Sequence, residues 1–149
     1  MSDGTGISAR DVAEAILELT REALLTGDCD TFCAVFHTPL PMAVSGETHL
    51  AETVEDLRQS FWSVFDRYKS LGVTDLDRSV THAEFTSPDR IETTHTSRRI
   101  IPDAPSQEMY PVFSVIERIG HDWKVTSVQY AIDSKDRVAD AIVNPRAAS

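Results

Sequence analysis

Cysteine is scarce in this sequence. Its only two, Cys29 and Cys33, sit four residues apart, too few for a disulfide-built scaffold. On a helix their Cβ atoms lie roughly 5–6 Å apart, whereas a disulfide needs about 3.5–4.5 Å, so both read as small apolar residues of a core face. Basic residues are in deficit: 14 Lys and Arg against 24 Asp and Glu give a formal charge of −10. That balance repels phosphate backbones and anionic lipid surfaces, which argues against nucleic acid or a membrane as partner. No apolar run approaches the roughly 20 residues of a bilayer span. The first six residues, Met-Ser-Asp-Gly-Thr-Gly, lack the basic and apolar regions of a secretory signal. The expected setting is the cytoplasm, with reduced thiols. A glycine-rich phosphate loop, H-E-x-x-H, C-x-x-C and G-x-S-x-G are all missing, so nucleotide, zinc-protease and serine-hydrolase chemistry have no support. No cofactor is expected.

What is present reads as an ordinary globular chain, 41% hydrophobic and 26% charged over 149 residues. One domain is expected over residues 8–143, with 1–7 and 144–149 as flexible termini. Ser8 and Asp11 form an S-x-x-D capping signal, and Val12, Ile16, Leu19 and Ala23 then recur at helical spacing. Gly27 is suited to end that helix in the left-handed conformation. Asp28 follows at once as a cap for a second, short helix, whose Cys29, Phe32, Cys33 and Phe36 form one apolar stripe. Pro39 and Pro41 then force extended structure. After a small hairpin around Gly46-Glu47, Thr53 and Asp56 cap a third helix with an aromatic-rich stripe of Leu57, Phe61, Phe65 and Tyr68, stopped by Gly72. From there the pattern changes to strands over 80–85, 90–101, 110–119 and 123–132. Ser87-Pro88-Asp89 and Gly120-His121-Asp122 serve as turns. Helices first and a meander after is an α+β arrangement, with the helices on one sheet face. One last helical turn or two is expected within 134–143.

A long helix, a Gly-Asp corner and a short helix ending in Phe before the first strand resemble the opening of the nuclear-transport-factor-2-like superfamily. The stretch Glu117-Arg118-Ile119-Gly120-His121-Asp122-Trp123-Lys124-Val125 resembles the strand-turn-strand ending common in these proteins, and the resemblance covers roughly residues 8–133. It implies a SnoaL-like, cystatin-like α+β cone: three N-terminal helices packed on a strongly curved antiparallel sheet that encloses a pocket for a small, partly apolar molecule and often dimerises. Known enzymes of the superfamily, among them ketosteroid isomerase, scytalone dehydratase and SnoaL-like cyclases, work without cofactors. Ketosteroid isomerase needs an aspartate base with a tyrosine and a protonated carboxylic acid as oxyanion donors. The matching places here hold Thr20, Val44 and Val115, so that chemistry is not expected. Dehydratase and cyclase chemistry stays open.

Candidate site residues follow from the same patterns. The segment 91–101, Ile-Glu-Thr-Thr-His-Thr-Ser-Arg-Arg-Ile-Ile, is polar on both faces although a central strand normally alternates. His95 is its one group titrating near neutrality, and Arg98 or Arg99 could hold a carboxylate or enolate beside it; these are the catalytic candidates. Ile91 and Ile101 share the parity of His95 and Arg99, which favours that face as the inside. His37, Trp62, Phe65, Tyr130 and Thr20 are the expected pocket residues, Trp62 and Tyr130 because a buried ring with a polar handle wants a partner. Cys29, Cys33 and His37 form an i, i+4, i+8 series, but eight helical residues span about 12 Å and zinc needs ligands at about 2.0–2.3 Å, so no metal is expected. His82 and Glu84 read as a structural pair on one strand face. Three functions compete at this stage: a binding module without catalysis, a cofactor-free isomerase, dehydratase or cyclase using His95 with an arginine, and a homodimeric interaction domain joined through its polar outer sheet face.

Overall fold

Each helix in the computed structural model starts on a side-chain cap and the two long ones stop at a glycine; residues 7–44 and 46–131 are described. In α1 (Ala9–Thr26), the Asp11 N–H donates to Ser8 Oγ at 3.0 Å and the Ser8 N–H to Asp11 Oδ2 at 3.3 Å. Such a cap stabilises a helix by about 1 kcal/mol over alanine. Gly27 ends α1 at φ 81°, where a Cβ would also meet Phe65 Cζ at 3.1 Å, so glycine suits the corner on two counts. α2 (Cys29–Ala34) begins on Asp28, whose carboxylate accepts from the Thr31 N–H and hydroxyl. α3 (Val54–Leu71) repeats the capping box with Thr53 and Asp56 and stops at Gly72.

Six strands follow the order β2-β1-β6-β5-β4-β3: β1 (Leu40–Val44), β2 (Glu47–Ala51), β3 (Asp75–Ser87), β4 (Arg90–Ile100), β5 (Tyr110–Ile119) and β6 (Asp122–Tyr130). β3 to β6 form the antiparallel meander that their short turns dictate. The expectation of a strongly curved, wholly antiparallel sheet needs correction. β1 runs parallel to β6, from Met42 opposite Val128 to Val44 opposite Tyr130, which makes the sheet mixed. It is also open, with β2 and β3 as edges, and not strongly curled. A parallel pairing needs no tight turn to announce it, so nothing local marks it. Register shifts lie at Val80/His82 and Phe85/Ser87 in β3, and opposite Val115/Ile116 of β5, where Thr126 is the extra residue of β6.

The core sits between the helices and one sheet face, with Leu40, Leu57, Phe61, Ile91 and Ile116 its largest fully buried side chains. Each contributes about 1.5–3 kcal/mol by leaving water. The stripe of α1 departs from expectation at Leu19, which is 46% exposed, while Thr20, expected at the pocket, is 4% exposed and sets a hydroxyl in the middle of the buried face. Among the described residues no helix is long and apolar enough to cross a membrane. The helical turn expected within 134–143, residues 1–6 and 144–149 of the termini, and Ser45 of the hairpin lie outside the described residues.

Candidate functional site

Strand alternation decides which chemistry faces the helices. Ile91, Thr93, His95, Ser97 and Arg99 are buried, while Glu92, Thr94, Thr96 and Arg98 lie on the other face. In register with the buried set, β3 brings Arg78 opposite Ser97 and Val80 opposite His95. β5 adds Tyr110, Val112, Ser114 and Ile116, and β6 adds Val125, Val128 and Tyr130. With α1 and α3 these enclose a cavity of about 90 Å³, about three waters' share of the liquid.

Two groups of side chains line it. One is aromatic: Phe32 packs on Phe36 at 4.7 Å between ring centroids and on Phe61 at 5.0 Å. The other is polar and gathers around Arg78. Arg78 Nη1 donates to Thr20 Oγ1 at 3.0 Å, and the Thr20 hydroxyl turns its own proton to the carbonyls of Ile16 (2.9 Å) and Leu17 (3.1 Å). This bond holds the guanidinium against α1. Arg78 Nε is buried without a hydrogen-bond partner, as is Ser60 Oγ. The His95 ring and the phenols of Tyr68, Tyr110 and Tyr130 line the cavity with Arg78. Among the described residues no aspartate or glutamate contributes to the lining.

Burial sets the protonation states. It pushes His95 down to about 3, helped by the Arg78 guanidinium, so the imidazole is neutral at physiological pH. Burial also pushes Tyr130 up to about 12, against the pull of Arg78, and raises Tyr68. The phenols therefore stay protonated. The polar wall combines a cation, phenol donors and a neutral imidazole that can donate through one nitrogen.

Of the residues expected at a site, the structure brings Thr20, His95 and Tyr130 to this cavity. Arg99 is buried on the same strand face but does not line it, and Arg98 points away to donate to Asp77 Oδ2 at 2.8 Å. The pairing of His95 with Arg98 is therefore not assembled, because the two residues have opposite parity. His37 is exposed past α2, its backbone N–H bonded to the Val125 carbonyl at 2.9 Å. Trp62 is 42% exposed and borders an outer groove with Cys29 and Arg58. Phe65 packs under Gly27 and stacks on Phe61 at 6.1 Å. All three lie outside the cavity lining; for Trp62 and Phe65 the reason is that the buried face of α3 centres on Leu57, Phe61, Val64 and Tyr68.

Arg78 was not anticipated; Tyr68 and Tyr110 were read as core or pocket wall. The signal for Arg78 was available: extending the strand back to Asp75 sets Leu76, Arg78 and Val80 on one face. Elsewhere, Cys29 and Cys33 are free thiols with Sγ atoms 3.8 Å apart, and burial next to Cys29 pushes Cys33 up to about 12. His82 and Glu84 form an exposed pair at 3.3 Å. Among the described residues no group of His, Cys, Asp and Glu is placed to hold a metal.

Neither a family model nor a curated protein matches the sequence. Solved structures do. A domain of unknown function with a cystatin-like fold from Nostoc punctiforme superposes with a TM-score of 0.68 at 15% identity, over 85% of this chain and 79% of that one. A nuclear-transport-factor-2-like protein of unknown function from Shewanella oneidensis gives 0.67 at 14%, over 82% and 98%. A ketosteroid isomerase-like protein from Erwinia carotovora atroseptica gives 0.58 at 13%, over 82% and 94%. At these identities the fold is what is shared.

Proposed function

For a chain with the nuclear-transport-factor-2-like, cystatin-like fold over most of its length, we propose a small-ligand-binding domain whose site is the cavity between α1, α3 and the buried sheet face. One observation supports this most: Arg78 and Ser60 line the cavity, and Arg78 Nε and Ser60 Oγ are buried without hydrogen-bond partners. Buried polar groups are ordinarily paired. Leaving one unpaired costs about 1–3 kcal/mol, so an occupant that pairs them stabilises the folded chain. The aromatic wall of Phe32, Phe36 and Phe61 suits a partly apolar occupant. Reduced Cys29 and Cys33 fit a cytoplasmic setting.

The isomerase, dehydratase or cyclase reading is weaker. A histidine pushed down to about 3 is a poor base near pH 7, and among the described residues the lining holds no carboxylate to take its place. The binding reading is tested by a thermal-shift screen of small metabolites on the wild type and on Val112→Phe, which fills the cavity. Saturable rises in Tm with the wild type and none with the folded variant are expected. Equal rises in both, or none in either, would overturn it.

A homodimer through the outer sheet face is a second reading, favoured by one feature. Phe113 is 42% exposed there beside Pro41, Ala43, Thr94 and Gln129 in a shallow depression, an aromatic anchor in a polar surround. Light scattering at micromolar concentration should give twice the 16.5 kDa monomer mass, and Phe113→Lys should return it to the monomer. A wild-type mass at the monomer value would sink this reading.

A further inference from the structure

The polar wall of the cavity is one-sided: among the described residues it holds Arg78 and several neutral donors and no carboxylate. Arg78 also borders a surface groove between α1 and β3 where Glu14 and Glu18 lie. Both of those carboxylates are engaged elsewhere, Glu14 with Arg10 at 3.7 Å and Glu18 with Arg21 at 3.0 Å, while Asp75 takes Arg21 at 2.7 Å. Among the described residues Arg78 therefore has no carboxylate counterpart, and its one hydrogen bond goes to a neutral hydroxyl. Thr20 takes Nη1 and leaves the buried Nε and the rest of the fork for something else. A planar guanidinium fork matches a carboxylate in shape and charge.

Building on the small-ligand reading above, we propose that the cavity takes a short-chain monocarboxylate, its carboxylate accepting from Arg78 and its alkyl end lying against Phe32, Phe36 and Phe61. The phenols of Tyr68, Tyr110 and Tyr130 are donors lining the same cavity and suit an acceptor-rich head group. Size limits the tail. The cavity measures about 90 Å³, against about 150 Å³ for an engineered cavity that accepts benzene, so an acid of a few carbons fits without repacking. The −10 net charge opposes an anion's approach, but only within about 8 Å at physiological salt.

The test is calorimetric titration of the full chain with sodium butyrate and with butyramide, its neutral near-isostere, using wild type, Arg78→Gln, Arg78→Lys and Thr20→Val. Butyrate should bind the wild type roughly tenfold to a hundredfold more tightly than butyramide, the range expected for a charge-assisted hydrogen bond. R78Q should abolish that preference while still binding butyramide, which also shows that its cavity is intact. R78K should retain part of it, and T20V should weaken butyrate without removing the preference. Equal affinity of the wild type for acid and amide, or an unchanged preference in R78Q, overturns the carboxylate assignment and leaves the small-ligand reading standing. Failure of both compounds, together with a blank thermal-shift screen, overturns both. If R78Q does not fold, the acid-to-amide ratio in the wild type and in T20V decides the matter alone.

Discussion

β4 carries nearly the same side-chain chemistry on its two faces, and the faces use it differently. Outward, Arg98 donates to Asp77, Glu92 pairs with Arg90, and the Thr94 carbonyl accepts from the Thr81 hydroxyl at 3.2 Å. Inward, Thr93 bonds the His82 carbonyl at 2.9 Å, and His95 lines the cavity in the field of Arg78. Water makes the difference. On the outer face it competes for every donor, so a pair there contributes about 0–1 kcal/mol. On the inner face it is largely excluded, and an unpaired group costs about 1–3 kcal/mol. A buried polar group kept inward against that cost is what the small-ligand proposal rests on, whereas the same group outward is ordinary surface.

The comparison breaks most visibly at its apolar anchor. Ile91 is fully buried on the inner face, and Glu92 beside it is exposed. Ile91→Ala should lower unfolding free energy by about 2–5 kcal/mol, and Glu92→Ala should change it by less than about 0.5 kcal/mol. Urea denaturation of both variants checks this. Similar losses for the two would mean that the faces are not distinct.

A second way to sharpen it uses pH. His95 has a folded pKa of about 3, below its ordinary 6.5. Between those values the unfolded chain binds a proton that the folded chain does not. Stability is therefore fully present above about pH 6.5 and falls as the pH drops, by up to about 1.4 kcal/mol per unit. His95→Gln should flatten the slope between about pH 4.5 and 6.5, a window above most carboxylate titrations. Identical slopes for wild type and H95Q would place His95 in water.

How much of this was legible in the sequence depends on the range of each interaction. The caps at Ser8, Asp28 and Thr53 and the stops at Gly27 and Gly72 read directly, because each is a contact within a few residues. The turns at Pro88 and Gly120 and the meander between them read for the same reason. The parallel pairing of β1 with β6 did not, since its partners lie more than eighty positions apart and no turn joins them. Arg78 escaped because the strand was started at residue 80, which dropped Leu76 and Arg78 from the alternation. The α1 face was misjudged at Leu19 because an apolar count prefers leucine to threonine. Thr20 sits inside because its hydroxyl is satisfied by the helix carbonyls and by Arg78, a partnership visible only in three dimensions.

The smallest effect belongs to the outer face and sharpens the comparison by its smallness. Arg98 and Asp77 form an ion pair at 2.8 Å, with side chains 37% and 43% exposed in the single chain. Solvent screens a pair this open, and holding both side chains in place costs entropy, so Arg98→Ala should destabilise by no more than about 1 kcal/mol. Raising salt to about 0.5 M should shrink even that, since the screening length falls to a few ångströms. A double-mutant cycle with Asp77→Ala isolates the coupling from lost packing of the arginine stem. If the coupling instead exceeded about 2 kcal/mol and resisted salt, the pair would have to be dry. Burial by a second copy of the chain on the outer face would make it so, and the contrast between the two faces of β4 would then hold only for the separated monomer.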